Sequence, residues 1–192
     1  MSNVQLLTTN HKLLYEGQHT SIKQAVEFAY SQNIPLHGID LKGKNLQGIN
    51  LDGITLHSGN FSEANLQGAN LSEATFKSCD FSSSNLRDSC FCYSNMLHCN
   101  FRLSDFSEGD LSMASIENSE FEGFSSLAFN LHKAFKRQAL TFIHFEKNIP
   151  ILDIPTFITS GDIMIIKIGK YMILNEIPHT FEYDFPLKSI TK

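Results

Sequence analysis

The stretch Ala64-Asn65-Leu66-Gln67-Gly68-Ala69-Asn70-Leu71-Ser72-Glu73 is one pattern written twice: a small residue, Asn, Leu, then two polar or Gly positions. Outward from Leu66 in both directions, every fifth residue is large and apolar. The series is Leu36, Leu41, Leu46, Leu51, Leu56, Phe61, Leu66, Leu71, Phe76, Phe81, Leu86, Phe91, Met96, Phe101, Phe106, Leu111, Ile116 and Phe121. In a chain that is 42% hydrophobic, an unbroken run of this length has a chance probability on the order of 10⁻⁷. A helix repeats at 3.6 residues and a strand at 2, so neither explains the period. A short internal period means an array in which each unit leans on its neighbours.

Two places before each large residue stands a mostly small or aliphatic one: Ile34, Ile39, Lys44, Ile49, Ile54, Gly59, Ala64, Ala69, Ala74, Cys79, Ser84 and so on to Ser119. Residues two apart in extended chain share a side, so both series are expected to face inward. Between them lies Asn or Asp in most units, a residue type that bonds nearby backbone and stabilises turns. Gly38, Gly43, Gly48, Gly53 and Gly68 fall where a type II turn needs positive φ. Ser58, Glu63, Ser78, Ser83 and Asp88 occupy the same place further on, and a change of turn type is expected there. The period leaves the number of units per coil open. A spacing of twenty aligns Phe61, Phe81, Phe101 and Phe121; a spacing of fifteen aligns Phe61, Phe76, Phe91, Phe106 and Phe121 equally well.

The repeated Ala-Asn-Leu units resemble the pentapeptide-repeat family, over about half the chain. The resemblance implies an all-β solenoid, a right-handed quadrilateral β-helix with four units per coil. It divides the chain into a capping segment (1–33), the repeat (34–123) and a tail (124–192). At about 4.8 Å per coil, four and a half coils make a rod of roughly 22 Å.

An open β-helix exposes strand edges and core at both ends. Residues 4–15 read as one or two short strands around Asn10, and Thr20 or Ser21 caps a helix reaching about Ser31 with Ile22, Ala25, Val26, Ala29 and Tyr30 as its apolar set. This strand/helix segment is the expected N-terminal lid. Past Gly123, Ser125 or Ser126 precedes an expected C-terminal helix to about Leu140, with Leu127, Leu131 and Phe135 on its apolar face. A small β-rich tail follows: Thr141–Phe145, Phe157–Thr159, a hairpin of Ile163–Lys167 and Tyr171–Leu174, and a last strand with Phe181, Tyr183 and Phe185 alternating.

No apolar run reaches the length of a membrane span. Met1–Glu16 lacks a basic segment followed by a hydrophobic one. Cys79, Cys90, Cys92 and Cys99 lack paired C-x-x-C spacing, so a reduced, cytoplasmic protein is expected. Residues 34–123 carry twelve acidic and five basic side chains, a net of −7. Asp105, Glu108, Asp110, Glu117, Glu120 and Glu122 form its most acidic part and are candidate partner-binding residues. Tyr93, Leu97, Leu103 and Met113, together with Cys92, are apolar at outward positions and are candidate apolar contacts. Cover by the Phe-rich tail is the simpler account of them.

No catalytic constellation stands out. His37 and His57 supply two imidazoles but no third ligand, so no metal is expected. Cys90, Cys92 and His98 have no oxyanion motif beside them, so no catalytic residue and no cofactor are assigned. The resulting expectation is a non-catalytic protein presenting a rigid β-helix face to a protein partner, with no direct nucleic-acid or membrane binding and a possible homodimer through the C-terminal tail. The leading alternative comes from the resemblance: an acidic DNA mimic, bacterial or phage-borne, regulating a DNA-processing enzyme such as a type II topoisomerase or a defence nuclease. Duplex DNA of 22 Å carries about 13 charges. The mimicry therefore requires Asp105, Asp110, Glu117 and Glu120 to form a continuous strip. An enzyme ranks third.

Overall fold

The computed structural model describes residues 1–122 together with the backbone of seven strands between residues 136 and 180. It opens with an antiparallel pair, β1 (Ser2–Leu7) and β2 (Leu13–His19). Helix α1 (Ile22–Ser31) follows. The Ser21 hydroxyl accepts the Gln24 amide at 3.1 Å, and the Gln24 side-chain oxygen accepts the Thr20 amide at 2.8 Å. This reciprocal capping starts the helix where the sequence places it. Ala25, Val26 and Ala29 are its buried stripe.

From Leu36 the chain is a β-helix solenoid whose coils stack along four strips. The first holds β3 (Thr55–His57), β4 (Thr75–Lys77), β5 (Asn95–Leu97) and β7 (Ser115–Glu117), paired in parallel. The second runs Asp40, Asn60, Asp80, Asn100 and continues through β6 (Asn100–Arg102) to β8 (Glu120–Glu122). The third is Asn45, Asn65, Asn85, Asp105, and the fourth Asn50, Asn70, Cys90, Asp110. Every step is twenty residues, so the fifteen-residue alignment is not the one the backbone uses.

All eighteen large residues of the period are buried. Phe61, Phe81, Phe101 and Phe121 stack face to face with ring centroids 4.8, 5.2 and 5.2 Å apart. The inter-strand distance imposes that spacing. Phe76 and Phe91 meet the column edge-on or steeply tilted, the arrangement that the ring quadrupole favours. Where Phe occupies the large position, its inward neighbour is small. A Cβ on Gly59 would lie 2.9 Å from Phe61 Cε2. The buried hydroxyls of Ser84, Ser89, Ser94 and Ser104 donate to the carbonyls of Phe81, Leu86, Phe91 and Phe101 at 2.6–2.7 Å, so the core holds them satisfied. Lys44 departs from its column and is exposed, since its ammonium would be unpaired inside.

The expected change of turn type does not occur. Every fifth residue from Gly38 to Asn118 has φ between 50° and 74°, including Ser58, Glu63, Ser78, Ser83 and Asp88. In each such turn the stack dictates the conformation. In the Phe61–Ala64 turn, the Ala64 amide donates to the Phe61 carbonyl at 3.1 Å, and the Glu63 amide to the Ser82 carbonyl of the next coil at 2.9 Å. These bonds offset a left-handed cost of about 1–2 kcal/mol per non-Gly residue.

The N-terminal segment caps the first coil through its backbone groups. The Asp40 amide donates to the Leu7 carbonyl at 2.8 Å. From α1, Lys23 Nζ donates to the Gln47 carbonyl at 3.0 Å, Glu27 Oε1 accepts the Asn50 amide at 3.0 Å, and Tyr30 OH donates to the Asp52 carbonyl at 2.6 Å. Positions 23, 27 and 30 lie on one helical stripe, so one face of α1 occupies groups that a preceding coil would otherwise satisfy.

The expected C-terminal helix is corrected over its last residues. β9 (Lys136–Gln138) pairs in parallel with β7, and β10 (Leu140–His144) with β8. Ile116 faces Arg137 and Phe121 faces Phe142 in register, a step of twenty-one. The solenoid thus continues on two strips after one extra residue; positions 124–135 lie outside the described residues. β11 (Lys147–Ile151) then pairs antiparallel with β10. A separate meander comprises β12 (Thr156–Ser160), β13 (Ile163–Ile168), β14 (Tyr171–Leu174) and β15 (Ile177–Thr180). The expected hairpin strands are its antiparallel β13–β14 pair. The last expected strand, with Phe181, Tyr183 and Phe185, lies outside the described residues. Among the described residues no helix is long and apolar enough to cross a membrane.

Candidate functional site

The outward positions of each unit are set by an Asx motif. In most units the Asn or Asp oxygen accepts the amide two residues on, as in Asn65 from Gln67 at 3.2 Å and Asp80 from Ser82 at 2.9 Å. Asn side chains also donate down the strip, Asn85 to Asn65 at 3.1 Å and Asn100 to Asp80 at 3.0 Å. Side-chain amide ladders of this kind lock the pitch of the surface. Whatever the solenoid displays is therefore held on a fixed grid.

On that grid the six candidate acids do not line up along the axis. Asp105 is on the third strip, Asp110 on the fourth, Glu117 on the first, Glu120 and Glu122 on the second, and Glu108 in the turn between the third and fourth. They form a collar around one coil. Two are committed to the fold: Asp105 accepts the Ser107 amide and hydroxyl at 2.9 and 2.6 Å, and Asp110 those of Ser112 at 2.9 and 2.5 Å. Arg87 also approaches Asp105 at 3.6 Å. Burial pushes the Asp105 carboxyl up, but the Ser107 bonds and the Arg87 charge outweigh it and hold it below its ordinary value. Glu108 and Glu120 are exposed, Glu117 is half-buried, and the Glu122 side chain lies outside the described residues.

The four apolar candidates also divide. Tyr93 and Met113 stand one coil apart in the turn between the fourth and first strips, 62% and 47% exposed. Leu97 is half-buried on β5. Leu103, 62% exposed, lies in the turn between the second and third strips, diagonally across the solenoid. One surface thus holds Tyr93, Met113 and Leu97, and Leu103 is apart from it. Tyr93, Leu103 and Met113 all have left-handed φ, near 60°, where bulky side chains are uncommon.

His37 and His57 stack on the first strip with ring centroids 4.7 Å apart, and the His57 amide donates to His37 Nδ1 at 3.3 Å. Among the described residues, no group of three His, Cys, Asp or Glu comes together as a metal site. His98 is in the turn after β5, on a different strip from Cys90 and Cys92.

The expectation of four reduced thiols is corrected at one pair. Cys90 and Cys92 are joined by a disulfide, while Cys79 and Cys99 are free and buried. The hydrogen bond with Cys79, with burial, pushes the Cys99 thiol well above its ordinary value. What marks Cys90 in the sequence is its place in the Asn50, Asn70, Asp110 column, where sulfur replaces the Asx oxygen and accepts the Cys92 amide at 3.4 Å.

With this geometry stands one sequence comparison: the family model for pentapeptide repeats, of eight copies, matches residues 36–72, 60–96 and 91–123. The chain is a pentapeptide-repeat protein. Among solved structures, this pentapeptide-repeat protein resembles QnrB1, a plasmid-mediated fluoroquinolone resistance protein, at 24% identity over 45% of this chain and 47% of that one, with a TM-score of 0.42. It also resembles the pentapeptide repeat protein Rfr23 from the cyanobacterium Cyanothece 51142, at 23% identity over 39% of this chain and 51% of that one, with a TM-score of 0.38. A third is a pentapeptide repeat protein from the thylakoid lumen of Arabidopsis thaliana, at 23% identity over 54% of this chain and 63% of that one, with a TM-score of 0.26. The chain spans about half the length of the first two. No curated protein matches it by sequence.

Proposed function

We propose that this pentapeptide-repeat protein is a non-catalytic binding module, its repeat a right-handed quadrilateral β-helix that offers a rigid face to a protein partner. The observation that carries the reading is the Tyr93–Met113 turn. Two large apolar side chains stand exposed in one column, on backbone of left-handed φ that favours Gly. Exposure forgoes about 1.5–3 kcal/mol of burial for each such side chain. A partner that covers them recovers it. The acidic DNA-mimic reading is weaker, because its acids encircle one coil of about 5 Å in place of following the axis.

Affinity capture on the full chain, quantified by mass spectrometry, tests this. Tyr93→Ser with Met113→Ser is expected to abolish a protein that the unchanged chain captures, and Glu108→Lys with Glu120→Lys to leave it bound. The reverse pattern would transfer the function to the acidic collar. The accompanying expectation of a homodimer through the tail is checked by light scattering of the full chain, where a monomer mass rejects it.

A further inference from the structure

We propose that Cys90 and Cys92 form a reversible thiol–disulfide site on the solenoid surface, exchanging with low-molecular-weight disulfides of the glutathione class. This goes beyond the binding role and is independent of it. The two residues are half-buried, on the outward side of one rung, with Cα atoms 5.5 Å apart. That separation lies at the centre of the range a disulfide spans.

The bond is not needed as a staple. It closes a loop of only three residues, and the stabilisation from loop closure grows with loop length. Its rung is already fixed: the Cys90 amide donates to Ala69 at 2.9 Å, Phe91 to Asp110 at 2.8 Å and Tyr93 to Ser112 at 2.9 Å. The two sulfurs can therefore be joined or separated while the backbone stays in place. Cys79 and Cys99 differ in every respect, since both are buried in the core and neither is bridged.

The surroundings of the two sulfurs assign their roles. Cys90 Sγ accepts the Cys92 amide at 3.4 Å and lies 3.1 Å from the Ser72 hydroxyl, whose one proton is shared with Asn70 Oδ1 at 2.8 Å. Hydrogen bonds of this sense stabilise a thiolate. Cys92 Sγ instead faces an acceptor, the Asp110 carbonyl, at 4.0 Å, which suits a protonated thiol. The reduced site thus reacts through Cys90. Its thiolate attacks one sulfur of glutathione disulfide, forming a mixed disulfide and releasing one glutathione thiolate, which takes a proton from solvent. Cys92 then loses its proton and attacks Cys90 Sγ, releasing the second glutathione. Two protein thiols are oxidised to one disulfide, and glutathione disulfide is reduced to two thiols. The reverse sequence opens the bridge.

The test uses the full-length chain, equilibrated in glutathione buffers from reducing to oxidising, alkylated without denaturant and weighed intact. Oxidising buffer is expected to remove two alkylatable thiols with no retained glutathione, and reducing buffer to restore them. Cys92→Ser is expected to hold one glutathione on Cys90. Cys90→Ser should acquire its adduct about threefold more slowly than Cys92→Ser, because a smaller thiolate population is partly offset by higher nucleophilicity. Ser72→Ala should slow the Cys90 reaction by less than about threefold, because the Ser72 proton is shared with Asn70 and loss of thiolate is partly offset by higher nucleophilicity. Cys79 and Cys99 must remain unlabelled throughout, which reports that each variant is folded. Two alkylatable surface thiols at every buffer ratio, or a bridge to any other cysteine, would overturn the site. Equal rates in the two Cys→Ser variants would overturn the assignment of Cys90 as the attacking sulfur.

Discussion

In the first coil, Ile39, Ile49 and Ile54 fill the interior beside Leu41, Leu51 and Leu56; in the strip above Leu41, Gly59, Cys79 and Cys99 stand beside Phe61, Phe81 and Phe101. Aliphatic pairs of similar size give way to small–aromatic pairs, and the backbone register stays at twenty residues as far as β8. The turns differ in the same way. Gly38, Gly43, Gly48 and Gly53 serve the first coil, whereas Tyr93, His98, Leu103 and Glu108 adopt the same left-handed φ later. The difference shows that the stack conserves interior volume and turn conformation, and leaves the residue types free to vary around both.

The comparison breaks most completely with a charge in the shared interior. Leu86→Asp is expected to abolish cooperative unfolding by circular dichroism, because an unpaired carboxylate cannot be solvated there. Next in size is Phe81→Ala, which removes a ring stacked on both Phe61 and Phe101. It should cost about 3–5 kcal/mol in chemical denaturation. Gly59→Ile imposes the first coil's solution on the second and should cost about 1–3 kcal/mol by overpacking against Phe61. Adding Phe61→Leu should recover part of that loss, and a double-mutant cycle that finds strict additivity would reject the volume argument.

The turns give a smaller and cleaner contrast. Nothing lies within 4 Å of a Cβ placed on Gly43, so Gly43→Ala reads the backbone alone and should destabilise by about 1 kcal/mol. Leu103→Gly, at the same corner three coils on, should stabilise by up to about 1 kcal/mol in the same denaturation series.

The smallest effect is electrostatic. Asp105 is held below its ordinary pKa in the folded chain, despite burial, by Ser107 and Arg87. A depressed folded value means a contribution fully present above the unfolded pKa of about 3.9 and lost as pH falls through the folded one. Asp105→Asn keeps the Asx oxygen and should cost a fraction of 1 kcal/mol near neutrality, since the carboxylate is 43% exposed. The difference between the two proteins should vanish in acid, as followed by thermal melts between neutral pH and pH of about 3.

The inward columns and the start of α1 were legible in the residues because each follows from burial or capping within a few positions. Turn conformation was not. Ser58 and Glu63 avoid left-handed φ in isolation, and only the carbonyls of the next coil impose it. The end of the expected helix misled for a related reason: a single extra residue hides that Arg137 and Phe142 take the registers of Ile116 and Phe121. Of the candidate sites, the acids were readable as a cluster in sequence but not as a collar, because residues five apart lie on different strips. The Cys90–Cys92 bridge left a signal in its C-x-C spacing and in the broken Asn column, both local.

The strand β11 runs against the direction of the strands beneath it on the second strip. A parallel stack ends in a template on which another copy's coil fits in the same sense, the geometry from which filaments grow. Reversal at β11 replaces that template with an edge of different donor and acceptor spacing, and Lys23, Glu27 and Tyr30 occupy the opposite terminus. Stacking of another copy is thus obstructed on the second strip by backbone polarity, and at the opposite terminus by three side chains.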